Sequence, residues 1–330
     1  MNNEGFAGQS GDLRMKVLEE GNLEIRTAVV NGSLGTIGIA LVKRLLEKNI
    51  RVYAVAWPPQ DPRTRQIPEG AQTVLCDMRE VSRLKELIPE PVDAFFHLAW
   101  MGPIGEGRED MLLQTENIRC AVEANKTAKE LGAQVFTGVG SQAEYGRIEG
   151  LVTAELPCFP VSGYGMAKLC AGQMTRSVSR RLGMRHVWAR VLSVFGAYDG
   201  PLTVISVILD KLLQGEKPAL TAGEQQWDYL YADDAADALI CMAESGRDGK
   251  VYPVGSGQCR PLREYFEILR DAVDPSLPLG FGELPYPPGQ VMRLQADISG
   301  LTADTGFRPR YTFEEAAQIV VKAYRERKKG

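Results

Sequence analysis

The chain has 330 residues, 44% hydrophobic and 24% charged, with 38 basic against 42 acidic side chains and a net charge of −4. That is the make-up of an ordinary soluble globular protein, long enough for a substantial core in one large domain or two smaller ones. It has no basic block, no apolar run of the ~18 residues a membrane span needs, two histidines, and six scattered cysteines without a CxxC pair, so nucleic-acid binding, a membrane span, a zinc site and a disulfide framework all lack support.

The first residues, "MNNEGFAGQSGD", are polar and glycine-rich. They lack the charged and apolar regions of a signal peptide, so residues 1–24 read as a flexible extension and the protein as cytoplasmic with reduced thiols. "EIRTAVVNG" (24–32) then reads as a strand ending in a glycine turn, followed by "GIALVKRLLEKNI" (38–50) with apolar residues at helical spacing. Further strands are predicted at 51–57, 71–77, 92–100, 133–141 and 186–196, with helices between them at 80–88 and 116–132. Strands buried on both faces and alternating with helices imply a doubly wound parallel α/β sheet. After residue 196 proline and glycine become frequent, as in "PSLPLGFGELPYPPGQ" (275–290), which suggests a smaller second lobe. The division expected is 25–190 plus about 225–255 for the sheet domain, and about 191–224 plus 256–330 for the lobe.

Within "VVNGSLGTIG" (29–38), glycines recur at 32, 35 and 38. The motif alone is weak. Between the first strand and the first helix, however, such glycines let the backbone approach a pyrophosphate, which the helix N-terminus also attracts.

"SGYGMAKLC" (162–170) places Tyr164 and Lys168 four apart, on one face of a helix. A tyrosine of pKa about 10 is a poor base at neutral pH. One positive charge ~4 Å away at an effective dielectric of 20 favours the phenolate by about 4 kcal/mol, before desolvation opposes it. The same spacing recurs at Tyr324 and Lys328, where the charged surroundings predict a solvated surface helix instead.

Taken together, these stretches resemble the extended branch of the short-chain dehydrogenase/reductase superfamily, and within it the NAD-dependent epimerase/dehydratase (nucleotide-sugar) family. The resemblance runs from about residue 26 to 315. It implies a Rossmann sheet with a C-terminal α/β substrate lobe and a bound NAD or NADP. It also implies a nucleotide-sugar substrate and a homodimer built through the helices near 110–132 and 160–182. "VFTGVGSQAEYG" (135–146) resembles the family's S-S-x-x-V-Y-G segment and places Ser141 beside Tyr164 and Lys168 as the catalytic hydroxyl. The resemblance further implies that Gly32, Leu34, Gly35, Thr36, Ile37 and Gly38 meet the cofactor. Asp77 and Met78 of "CDMRE" would line its adenine. Leu98, Ala99 and Trp100 of "HLAW", Asn117, Val191 and Val194 complete that set, with Tyr164 and Lys168. Substrate contacts are implied for Ser141, Gln142, Ser193, Trp227 and Arg293, and no metal is expected.

The departures narrow the chemistry. Asn31 and Thr36 replace the family's threonine and phenylalanine in the glycine turn. Gln142 and Ala143 stand where sugar 4,6-dehydratases carry an acid pair, and Glu144, one residue later, is expected to point elsewhere. C4 epimerisation or reduction of a 4-keto-sugar then remains, needing only Ser141, Tyr164, Lys168 and a nicotinamide. Alternatives are a dehydratase with atypical acids or a non-catalytic NAD(P)-sensing protein. Trp227 replaces one of two arginines that usually grip the diphosphate, and Ser193 replaces a substrate-binding asparagine. The second strand ends in Ala56, Trp57, Pro58 and Pro59 with no acid for an NAD ribose; Arg63 and Arg65 could instead meet a 2′-phosphate, so the choice between NAD and NADP stays open.

Overall fold

The computed structural model describes residues 22–327. Residues 1–21 of the expected extension therefore lie outside the described residues, as does Lys328; at the extension's end, the Leu23 N–H donates to the Glu244 carbonyl at 2.8 Å.

Apolar, β-branched runs form the strands and amphipathic stretches form the helices. In chain order the elements are β1 (Thr27–Asn31), α1 (Thr36–Glu47), β2 (Arg51–Ala56), β3 (Gln72–Leu75), α2 (Leu84–Leu87), β4 (Ala94–His97), α3 (Met111–Glu130), β5 (Val135–Ser141), β6 (Gly150–Val152), α4 (Gly163–Leu182), β7 (Arg185–Val191) and β8 (Ser193–Phe195). There follow α5 (Val204–Leu213), β9 (Gln226–Trp227), β10 (Tyr229–Tyr231), α6 (Ala232–Ser245), β11 (Val251–Val254), β12 (Arg260–Pro261), α7 (Leu262–Val273), β13 (Arg293–Ala296), α8 (Ser299–Thr305) and α9 (Phe313–Arg327).

Seven strands make one sheet in the order β11-β7-β5-β4-β1-β2-β3, parallel throughout. The order reverses between β1 and β4, and in doubly wound sheets a ligand crevice opens at that point beyond the strands' carboxyl ends. Helices α1 and α6 pack together, and α3 packs on α4. All five residues of β1 are buried, as expected of a strand covered on both faces.

Two small sheets lie outside the large one, β10-β8 and β12-β9-β13-β6. The predicted strand 186–196 divides between β7 of the large sheet and β8, which pairs with β10. Similarly β6, from the segment assigned by sequence to the sheet domain, pairs with β13. Asp228 ties these pieces together: its buried carboxylate accepts the N–H groups of Ser256 (2.7 Å), Gly257 (3.0 Å) and Ala296 (3.0 Å).

Two expectations need correction. The predicted helix 80–88 is a 3-10 turn over Met78–Arg83 leading into the single-turn α2. Tyr324 is not solvated: it is 5% exposed in α9 and shares a 2.7 Å hydrogen bond with the Ser206 hydroxyl, because that face of α9 closes the core of the C-terminal part. Among the described residues, no helix is long and apolar enough to cross a membrane.

Candidate active site

The turn after β1 is built for close backbone approach. Gly32 has φ +102°, and a Cβ there would lie 2.4 Å from the Ala99 nitrogen. A Cβ on Gly38 would lie 2.2 Å from the Gly32 carbonyl oxygen. At Gly35 a Cβ would point into open space, with the Gly32 oxygen 4.0 Å away as its nearest neighbour. Gly35 is also the N-cap of α1 and offers no side-chain cap, so the helix's first N–H groups stay available to a ligand. Space of that shape, at a positive helix end, fits the pyrophosphate of a dinucleotide.

A cavity of about 770 Å³ runs from this turn along the crevice. Gly32, Leu34, Gly35, Thr36, Ile37 and Gly38 form its floor. Asp77 and Met78 line one end, where the Asp77 carboxylate accepts the Arg79 N–H at 2.9 Å and caps the following turn. Leu98, Ala99 and Trp100, just after β4, line the cavity as well, as do Val191 and Val194. Ser141, Tyr164 and Lys168 close the far end. Asn117 is not in the wall. It is fully buried and holds the loop after β4, accepting the Met101 N–H and donating to the Met101 carbonyl, each at 2.8 Å. Arg63 lines the cavity but is committed to Asp61, with Nε 2.9 Å from Oδ1, while Arg65 is exposed and outside it.

Tyr164 and Lys168 lie on α4, whose start is set by Ser162, its side chain accepting the Gly165 N–H at 3.1 Å. A second cavity, of about 480 Å³, meets the first at Ser141. Ser141 caps the 3-10 turn Gln142–Tyr145, its Oγ accepting the Ala143 N–H at 3.2 Å. Burial raises the pKa of Tyr164; the Ser141 hydroxyl and the charge of Arg108 oppose the rise, and Glu144 adds to it. Lys168, 3% exposed, donates from Nζ to the Val139 carbonyl at 2.7 Å, and that atom lies 3.8 Å from the Trp100 ring centroid. Burial pulls its pKa down to about 7. Behind it, buried His97 receives the Asn31 side-chain N–H on Nδ1 at 3.1 Å and stays neutral, its pKa lowered to about 3 by burial and by Lys168.

Gln142 and Trp227 line the second cavity, as do Arg108 and Arg147. The Gln142 Oε1 is buried without a hydrogen-bond partner. Ser193 and Arg293 are not in its wall: the Ser193 hydroxyl accepts the Trp227 indole N–H at 2.7 Å, and Arg293 is exposed, donating to Gln295 at 3.2 Å. Glu144 points away from both cavities, its carboxylate accepting from the Ser141 N–H (2.9 Å), the Trp188 indole (3.0 Å) and Arg190 Nε (2.7 Å). It thereby fixes the backbone at Ser141, and Gly140 is required beneath it, since a Cβ there would sit 2.0 Å from Glu144 Oε1.

Sequence reasoning did not single out Arg108, Arg147 or Asp199. Asp199 lines the cofactor-sized cavity beside Thr36, with its buried Oδ2 unpartnered and its pKa raised to about 6 by burial. None of the three carries a local sequence signal, because each reaches the site from a loop.

The model of the NAD dependent epimerase/dehydratase family matches residues 28–255. dTDP-glucose 4,6-dehydratase of Xanthomonas campestris pv. campestris (strain B100) is 27% identical over 200 residues, which span 57% of this chain and 57% of that protein. dTDP-4-dehydro-6-deoxyglucose reductase of Escherichia coli is 22% identical over 313 residues, 90% of this chain and 97% of the reductase. Among solved structures, UDP-N-acetylglucosamine 4-epimerase from Methanobrevibacter ruminantium M1, in complex with UDP-N-acetylmuramic acid, shares the fold with a TM-score of 0.82 and 24% identity over 92% of this chain and 100% of that one. A family match running from β1 to the end of β11 makes this chain a member of the NAD dependent epimerase/dehydratase family, within the extended short-chain dehydrogenase/reductase superfamily.

Proposed function

We propose that the protein acts on a nucleotide-diphosphate sugar as a C4 epimerase or 4-ketoreductase, with Tyr164 as the acid/base. The observation that carries this reading is the meeting of two cavities at Ser141, with Tyr164 and Lys168 at the end of the cofactor-shaped one. The glycine turn and the crevice walls would hold a nicotinamide dinucleotide there, which would supply the hydride acceptor or donor. Tyr164 takes the hydroxyl proton in the oxidising direction and gives it back in the reducing one. Ser141 receives the Ala143 N–H on its oxygen, which leaves its own proton free for the sugar oxygen. Lys168 holds the crevice end of β5 through Val139 and stands over Trp100.

The dehydratase reading draws on the relatives that carry that name. Against it stands the lining of the second cavity, which includes no carboxylate, with Glu144 tied up in the core. For the substrate's diphosphate, Arg147 is our choice in place of the arginine that Trp227 replaces, with Arg293 on the adjoining strand. The proposed homodimer forms through α3 and α4, which expose Leu112, Met111, Met166 and Met174. The lobe division of the sequence reading and a cytoplasmic location belong to the same proposal.

The test is Tyr164→Phe, assayed on a panel of nucleotide sugars with NAD and NADPH. A loss of about 10²-fold or more in kcat is expected. Turnover within tenfold of wild type sinks the reading. Mass identification of the nucleotide released on denaturation separates the two reactions, since retained NAD supports an epimerase cycle and exchange of NADPH a reductase.

A further inference from the structure

Arg108 ends the 3-10 turn Gly105–Arg108, just before α3. Its guanidinium carbon lies 4.3 Å from the centroid of the Tyr164 ring. Nη1 donates to the Pro103 carbonyl at 2.9 Å, which anchors the fork over the ring. The loop that carries it is itself pinned, because Gln114 Nε2 donates to the carbonyls of Gly107 (2.7 Å) and Gly102 (3.1 Å). The next residue, Glu109, accepts the N–H of Gly163 at 3.3 Å, at the first turn of the helix that carries Tyr164. Arg108 is thus held over the phenol from two sides, and it also lines the second cavity.

The other charged and titratable groups around Tyr164 are each engaged elsewhere. Lys168 Nζ is 5.8 Å from the ring centroid, and its hydrogen bond goes to Val139. Glu144 is paired with Arg190 in the core. Glu109 faces a backbone N–H, and His97 is neutral beyond Lys168. A lysine whose pKa is close to 7 carries only a partial charge at neutral pH, whereas a guanidinium is charged throughout the working range.

We propose that Arg108 is a positioning residue for the reaction: stacked on Tyr164, its guanidinium holds the phenol towards Ser141 and supplies the pH-independent positive charge that favours the phenolate. This rests on the reading of Tyr164 as the acid/base. It divides the work between two cations, a permanent one on the substrate side and a titrating one, Lys168, in the wall of the cofactor cavity. Without Arg108 the phenol holds its proton to higher pH. The acid limb of oxidation and the alkaline limb of reduction therefore both move upward.

The experiment is a titration of phenolate absorbance in the cofactor-free protein, taking the difference from Tyr164→Phe to isolate the one phenol. Arg108→Gln is expected to move that transition to higher pH, and Arg108→Lys to leave it near the wild-type position. Should the glutamine variant fail to fold by circular dichroism, Arg108→Met keeps the aliphatic stem over the ring and serves as the neutral variant. In turnover, the neutral variant loses about tenfold in kcat/KM for oxidation at neutral pH and recovers as pH rises. A titration unchanged from wild type, or a loss equal at every pH and equal for lysine and glutamine, overturns the proposal. A shifted titration in a protein without turnover upholds the electrostatic role and sinks the enzyme reading instead.

Discussion

Tyr164 and Lys168 share a face of α4, yet burial acts on them in opposite senses, raising one pKa and lowering the other. Each shift disfavours the charged form, as desolvation must. For Lys168 the consequence can be measured in stability. Its pKa falls from 10.5 unfolded to about 7 folded, so between those values the unfolded chain binds the extra proton and stability rises with pH. Below about pH 7 the full penalty is present, on the order of 5 kcal/mol, against roughly 1 kcal/mol lost with the hydrogen bond to Val139. Lys168→Met is therefore expected to raise the urea midpoint at about pH 6, by an amount that shrinks towards about pH 10. An equal effect at both ends would show that the ammonium is not desolvated. The spacing marked two candidate pairs, and the glycine turn and Ser141 singled out Tyr164; that Tyr324 is a core residue and not a solvated one was decided by packing.

The glycine turn and α1 separate folding from binding at the scale of the element. Gly35 has φ −82°, which alanine adopts without strain, and its Cβ would enter open space. Gly35→Ala is expected to fold with a loss of about 1 kcal/mol or less, because alanine is a poorer N-cap than glycine but the backbone there is unstrained for it. Its methyl group would occupy the approach to the helix N-terminus, so NAD(P)H affinity, read by fluorescence titration, should fall about tenfold or more. Unaltered affinity would move the pyrophosphate elsewhere. This element was readable because glycine spacing, strand and helix are contiguous in sequence. By contrast, the run 186–196 reads as one strand, and its division between two sheets depends on β10 and β11, which pair with it from 36 and 63 residues further along the chain.

Over the whole molecule, the two histidines sit buried and neutral on strands β4 and β7 of the large sheet. Burial lowers both His97 and His186 from 6.5 to about 3, helped by the charges of Lys168 and Arg176 respectively. As pH falls from 6.5 towards 3 the unfolded chain takes up protons that the folded one refuses, so stability drops across that window. At about pH 5 each site should have cost roughly 2 kcal/mol relative to neutral pH. His186 stacks between Phe136 and Trp188 at 5.9 and 6.0 Å, a slot that suits a phenyl ring. His186→Phe is accordingly expected to lose about 2 kcal/mol less than wild type between pH 7 and about pH 5 in urea unfolding. An identical loss in both proteins would place the acid sensitivity elsewhere.

The order of strands and helices, the glycine turn and the Tyr164–Lys168 pair were determined by the sequence itself, since each is written in spacings that fall within one element or between neighbours. The tertiary structure alone decided that Arg108 lies over Tyr164, that Glu144 turns into the core, that the Ser193 hydroxyl is taken by Trp227, and that Asn117 braces a loop. Periodicity reports which face of an element is buried. Which side chain from a distant loop arrives at that face is set by packing of the whole chain, and no local pattern encodes it.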